Sequence, residues 1–370
     1  MGNKHKEENV GFDEQYYVPC LRWKQGEYQG LLRLREETKH RIIPLLEVPE
    51  IGFDFETGED AKTIDKHLEK FAKRVIEKWG GQMAFVDLRL IPVNERMRDG
   101  RHPLKYVFDG LREVGSFSVP VTGMARDAAY QEAVRDEVGA GGHGVCFRIS
   151  LEEAADDDLG MKIGRLLKTL RTQLETVDLV LDCGAPKYEP LEGFASMMLG
   201  LIGNLPDLAK WRSFTVCGTS FPQSMGALQL GGQKVLRYEW LFYKKLLDLL
   251  GRGKRKPTFG DYGIAHPDVV VMDMRLVKPA GTLRYTVDDA WYVIKGPNVR
   301  DNGTTQYQDH CAKLAKSNLF LGKTFSAGDD YVEKCAQGAV GTGNLTTWRW
   351  VGTNHHLEKV VADLANVFGS

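Results

Sequence analysis

The sequence predicts a closed β/α barrel followed by a C-terminal α+β extension. Three observations carry this. Short, continuously apolar runs recur through the first 250 residues, as in strands covered on both faces. Amphipathic stripes at helical spacing separate them. The first run leads into Arg22-Trp23-Lys24-Gln25-Gly26-Glu27, without the glycine-rich phosphate turn that usually opens a doubly wound sheet.

The predicted strands are residues 17–21, 42–46, 83–86, 118–121, 145–147, 177–181, 214–217 and 235–238. Residues 258–262 are a ninth candidate, so one candidate must lie outside an eight-stranded barrel. The run at Tyr17 is kept inside. Between the strands, Ile64, Leu68, Phe71, Val75 and Trp79 form one helical stripe. Leu104, Phe108, Leu111 and Val114 form a second, and Ile163, Leu167, Leu170 and Leu174 a third. Residues 282–295 read as an antiparallel hairpin around Asp288-Asp289. Leu357, Val360, Val361, Leu364 and Phe368 mark a final helix. The expected organisation is a polar tail over residues 1–15, a barrel over 16–250, and an extension over 251–370 packed on the barrel mouth.

Composition narrows the function classes. In 370 residues, 49 basic side chains face 50 acidic ones, so no global charge draws the chain to nucleic acid or an anionic membrane. No apolar run reaches the roughly 18 residues of a membrane span. The polar N-terminus does not read as a secretory signal. Six cysteines without a CxxC pair argue against a zinc knuckle and for free thiols in a reducing cytoplasm. No Ser-His-Asp spacing and no HExxH motif is present.

Barrel enzymes carry their chemistry at the C-terminal ends of strands. Those positions hold Arg22 and Lys24, Glu47, Asp87 with Arg89, Arg148, Asp182, Ser220 and Glu239. Glu47, Asp87 and Glu239 are the expected ligands of a divalent metal ion such as Mg or Mn. Arg22, Lys24, Arg89 and Arg349 are the expected holders of a phosphate, and Asp261 or His266 would move protons. The bland alternative is a ring of ion pairs closing the barrel mouth, with Arg148 joined to a neighbouring carboxylate. Strand alternation puts Phe85 and Asp87 on one face, the lumen, where Arg89 could pair with Asp87.

Residues 338–356 combine glycines, hydroxyls and aromatics around Arg349, a composition suited to cradling an anion. Equally, they could be a glycine-bent connection with its tryptophans in the core. Asn354 is expected to cap the helix that follows, leaving His355 and His356 on the surface.

Ordered short motifs add a resemblance. They are Tyr17-Val18-Pro19-x-Leu21-x-x-Lys24-x-Gly26-Glu27, Ile43-Pro44-Leu45-x-Glu47-Val48-Pro49, Phe259-Gly260-Asp261-Tyr262, Arg284-Tyr285-Thr286, and Gly343-Asn344-x-Thr346-Thr347-Trp348-Arg349 with residues 351–356. From Tyr16 onward the chain resembles the beta protein family of phages and bacteria. The resemblance implies a β/α barrel and a place in phage–host conflict, and it carries over no catalytic residues. Two functions follow as expectations. One is a metal-assisted hydrolase of a phosphodiester, nucleic acid or nucleotide. The other is a non-catalytic module binding a protein partner, as in a defence system, or a small signal. The sequence does not specify an oligomeric state.

Overall fold

The computed structural model describes residues 12–268, 273 and 276–369. Its strands in chain order are β1 (Tyr17–Arg22), β2 (Leu45–Glu47), β3 (Phe53–Asp54), β4 (Glu59–Asp60), β5 (Ala84–Asp87), β6 (Ser118–Thr122) and β7 (Val145–Ser150). Then come β8 (Val177–Asp182), β9 (Ser213–Cys217), β10 (Gly231–Leu236), β11 (Thr258–Asp261), β12 (Ala280–Thr286) and β13 (Ala290–Asn298). Eight of them close a parallel barrel in the order β1-β2-β5-β6-β7-β8-β9-β11. Helices connect them and bury their apolar stripes against the outer face, where Leu46, Val86, Val107 and Ile163 join one continuous core. Phe85, Val119, Val121, Cys146 and Val180 fill the lumen instead. The alternation read from Ala84-Phe85-Val86-Asp87 is therefore realised.

The barrel's last strand is β11, not the run at residues 235–238. Gly231–Leu236 pairs antiparallel with β13 in a separate sheet ordered β10-β13-β12, and Tyr238 already belongs to the next helix. The apolar signal of β11 is weak because its Gly260 sits where the lumen is tight. A Cβ there would lie 2.9 Å from the Val18 carbonyl oxygen and 3.1 Å from Cys217 Cβ. The barrel thus extends to Asp261 rather than ending at residue 250.

Of the expected N-terminal tail, residues 1–11 lie outside the described residues, and the remainder is packed. Phe12 is buried beneath the lumen, with its ring centroid 6.1 Å from that of Phe85. The Asp13 carbonyl accepts a bond from Thr258 Oγ1 at 2.9 Å, tying this segment to the closing strand.

Residues 338–356 are mostly not a loop. Asn344 and Thr347 form a reciprocal capping box that starts the helix Leu345–Phe368. Asn354, His355 and His356 therefore lie within that helix and are buried, correcting the expected cap and surface positions. The helix is docked by close backbone approach to the helix Gln25–Leu32. A Cβ on Gly26 would fall 2.1 Å from Arg349 Cγ, and one on Gly30 would fall 2.9 Å from Thr353 Cγ2.

Its buried polar groups have partners. Asn354 donates to the Gly30 carbonyl at 3.0 Å and accepts from the Gly328 amide at 2.8 Å. His355 lies 2.8 Å from Asp329, and His356 lies 2.9 Å from Asp261. Glu358 accepts from Arg35 and Thr38. The bonds to Gly30, Asp261, Arg35 and Thr38 fasten the final helix to the barrel, and those to Gly328 and Asp329 hold it within the extension.

Candidate functional site

Parallel register brings the strand ends together. Arg22 pairs in register with Glu47, and Glu47 with Asp87, so the three occupy one row across β1, β2 and β5. Arg148 from β7 reaches into this row. Its Nη1 donates to Glu47 at 2.8 Å and to Asp87 at 2.9 Å. Its Nε donates to Asp182 at 2.9 Å, and its Nη2 donates to the Tyr262 hydroxyl at 2.8 Å. Tyr262 in turn donates to Asp182 at 2.7 Å.

Further donors reach the same two carboxylates. Arg89 Nε donates to Glu47 at 2.5 Å, whereas Asp87 accepts from Arg126 at 2.9 Å and from the Arg89 amide at 2.8 Å. The expected side-chain pair of Arg89 with Asp87 is thus replaced by Arg89 with Glu47. Burial pushes the Asp87 and Glu47 carboxyls up, but the surrounding arginines outweigh it and hold both below their ordinary range. The arginines thus favour the ionised form of both acids, with Glu47 Oε1 taking two guanidinium bonds and Oε2 approached only by Arg22 Nε at 3.8 Å.

A resident divalent metal does not fit this arrangement. Binding one at Asp87 or at Glu47 Oε1 would require displacing Arg89, Arg126 or Arg148 from a buried carboxylate. Among the described residues, no three His, Cys, Asp or Glu side chains gather as a metal site. Glu239 belongs to a different neighbourhood. It stands in the first turn of the helix Tyr238–Leu250 and accepts from the Ser220 amide and hydroxyl at 3.0 and 2.7 Å. Burial and nearby Asp261 raise its pKa to about 7 against the pull of Arg237. Asp261 is fully buried and bonded to Tyr17, His356 and the Gly263 amide, away from any open surface. Through Tyr17 and His356 it joins the closing strand to the first strand and to the final helix.

Beside the arginine-bound row, a cavity of about 910 Å³ opens between the barrel mouth and the extension. Arg22, Lys24, Lys278, Arg284, Lys295 and Arg349 line it, against the carboxylates Glu27, Glu47 and Asp268. Several cations are already engaged. Lys24 bonds Glu50 at 2.9 Å, Lys278 bonds Asp301 at 2.8 Å, and Lys295 donates to the Met225 and Leu228 carbonyls at 2.8 and 2.7 Å. Arg22 donates to the Pro267 carbonyl, and its buried Nε, 3.8 Å from Glu47 Oε2, has no hydrogen-bond partner among the described residues. His266 is on the cavity wall and accepts from the Asp268 amide at 3.1 Å. Arg349 donates to the Ile264 carbonyl at 3.0 Å and lies 3.7 Å from Glu27.

Arg284 shares an unpaired Nε with Arg22, but it reaches the cavity from the extension rather than from the barrel. Its guanidinium lies over the Phe221 ring at 5.5 Å, and its Nε is buried without an acceptor among the described residues. Sequence reasoning passed over this residue as a site candidate. The available signal was its place in Arg284-Tyr285-Thr286, where a charged side chain interrupts a strand that buries Leu283 and Tyr285. So Arg22, Lys24, Glu47, His266 and Arg349 meet at the cavity, whereas Asp87, Glu239 and Asp261 are not part of its wall.

The Beta protein family model matches residues 17–362, nearly the whole chain. The chain belongs to the Beta protein family. No curated protein matches this family member. Among solved structures, it is similar to triosephosphate isomerase from Bartonella henselae at 12% identity, with a TM-score of 0.32, over 67% of this chain and 92% of that one. The barrel of this Beta protein family member is established by its own strand pairing. No helix among its described residues is long and apolar enough to cross a membrane.

Proposed function

We propose that the protein is a binding module for a small anionic ligand held at the barrel mouth, between the barrel and its C-terminal extension. The single observation behind this reading is Arg284, a guanidinium at a deep cavity whose buried Nε has no acceptor among the described residues. A buried donor left unpaired is costly, and a charged one more so. A ligand oxygen would remove that cost. The cavity volume of about 910 Å³ lies within the range of small-molecule and cofactor sites.

Metal-assisted phosphodiester hydrolysis has weaker support. Its intended ligands Glu47 and Asp87 are neutralised by arginine, and Glu239 is bonded elsewhere. The separating experiment is a thermal-shift screen of nucleotides, phosphorylated sugars and dicarboxylates at low salt, with hydrolysis followed in the same samples with and without Mg or Mn. Saturable stabilisation without turnover supports the binding module. Metal-dependent turnover supports the hydrolase, and no stabilisation by any anion rejects the binding reading.

A further inference from the structure

We propose that Arg284 and Arg349 form a clamp for a phosphate monoester, so that the ligand at the barrel mouth is a small organic molecule ending in a doubly charged phosphoryl group. This rests on the anion-binding reading above and gives it a chemical class.

The two arginines reach the cavity from different elements of the extension, Arg284 from β12 and Arg349 from the final helix. Both are fixed before any ligand arrives. Arg284 is held over Phe221, and Arg349 by its bond to the Ile264 carbonyl and by its passage across Gly26. Their charges are under-compensated. Among the described residues, the nearest carboxylate contact of the pair is the 3.7 Å approach of Arg349 to Glu27. Burial, reinforced by Arg349, pulls the Arg284 pKa down to about 9, so it remains protonated at neutral pH under electrostatic strain.

The form of the charge deficit selects the ligand. A single carboxylate offers one negative charge and two oxygens, enough to satisfy one guanidinium fork. A phosphate monoester offers close to two charges and three terminal oxygens, enough for both forks at once. A phosphodiester carries only one charge, so the clamp prefers a free phosphoryl end to a nucleic-acid backbone. The cavity is far larger than a phosphate group, and its wall includes Met225, Ile264, Val277 and Pro279. That apolar surface would cover the organic remainder.

Titration calorimetry and thermal shift on the full chain at pH 7.5 and low salt test this. Inorganic pyrophosphate and adenosine monophosphate serve as phosphoryl-end probes. Cyclic adenosine monophosphate serves as the diester, and acetate as the monoanion. The expected result is binding of the first two at least about tenfold tighter than the others, weakened at least about tenfold by Arg284→Gln or Arg349→Gln. Without ligand, Arg284→Gln should melt no lower than the parent, because relief of the unpaired Nε offsets the lost contact with Phe221. Equal binding of acetate or the cyclic diester would overturn the monoester class while leaving the anion-binding reading standing. Tighter binding of a single-stranded oligonucleotide than of adenosine monophosphate would also overturn it. Retention of phosphoryl binding in both variants would overturn the clamp. Failure of every anion to bind would remove both proposals.

Discussion

Arg148 donates to Asp87 at 2.9 Å inside the barrel, with both side chains almost completely shielded from solvent. The same guanidinium reaches Glu47 and Asp182, so one cation from β7 holds acids from β2, β5 and β8. Charges this deep are tolerated only while the group stays complete. Arg148→Met should therefore leave three acids under-compensated and lower stability by about 3–5 kcal/mol. Asp87→Asn keeps the shape and should cost about 1–3 kcal/mol while ligand binding at the mouth persists. Urea denaturation of both variants, with binding measured in parallel, checks the order. An Asp87→Asn protein of parental stability but without binding would move Asp87 into the site.

Acid should act on the same cluster. The Asp87 pKa is depressed in the folded state, so its stabilising contribution is present above the unfolded value of about 3.9 and is lost as pH falls through the folded value. Melting temperatures of Asp87→Asn and the parent should converge below about pH 4.

Glu239 should behave in the opposite sense. Its folded pKa of about 7 exceeds the ordinary 4.5, so between those values the folded state binds more protons than the unfolded one. Its contribution to stability therefore falls as pH rises through that window, by an amount of up to about 3 kcal/mol. The groups facing it are Ser220, Arg237 and Asp261. Glu239→Gln keeps an acceptor for Ser220 and cannot ionise. Relative to the parent, it should gain stability from pH 5 to about pH 7 and level off above that in thermal melts. A constant difference across that range would refute the assignment.

Gly26→Ala should separate the final helix from the helix Gln25–Leu32. The new Cβ would meet Arg349 Cγ at 2.1 Å, and the crowded atom is near the root of its side chain rather than its flexible end. An overpacking cost of about 1–3 kcal/mol is expected, with weakened anion binding because Arg349 must move. An alanine at exposed Gly139 in the helix Ala128–Gly141, where no heavy atom lies within 4 Å of the new Cβ, makes a control for non-specific loss of binding.

All six cysteines are free and buried. Burial raises the Cys20, Cys146, Cys183 and Cys217 thiols well above their ordinary pKa, which makes them poor nucleophiles. A thiol reagent should label none rapidly in the native protein and six after denaturation. Rapid labelling of the native chain would show that a buried thiol becomes accessible.

The local pattern of residues determined most of the barrel. Continuous apolarity marks seven of its strands because both faces of each are covered, and helical stripes mark the partners that cover them. It also determined which charges stand at strand ends, since alternation fixes the facing of Asp87 and Phe85 independently of the rest of the chain. Other features depended on contacts distant in sequence. Thr258–Asp261 was disguised as a closing strand because the crowded lumen demands Gly260 where an apolar residue would have signalled a core. His355 and His356 could be placed inside only by their distant acceptors Asp329 and Asp261, because burial of a polar side chain depends on a partner that local sequence does not reveal. The same reason separates Glu47 and Asp87 from Arg284. All three are charged residues on strands, but folding surrounds the acids with arginines and leaves the Nε of Arg284 unpaired at the edge of a cavity.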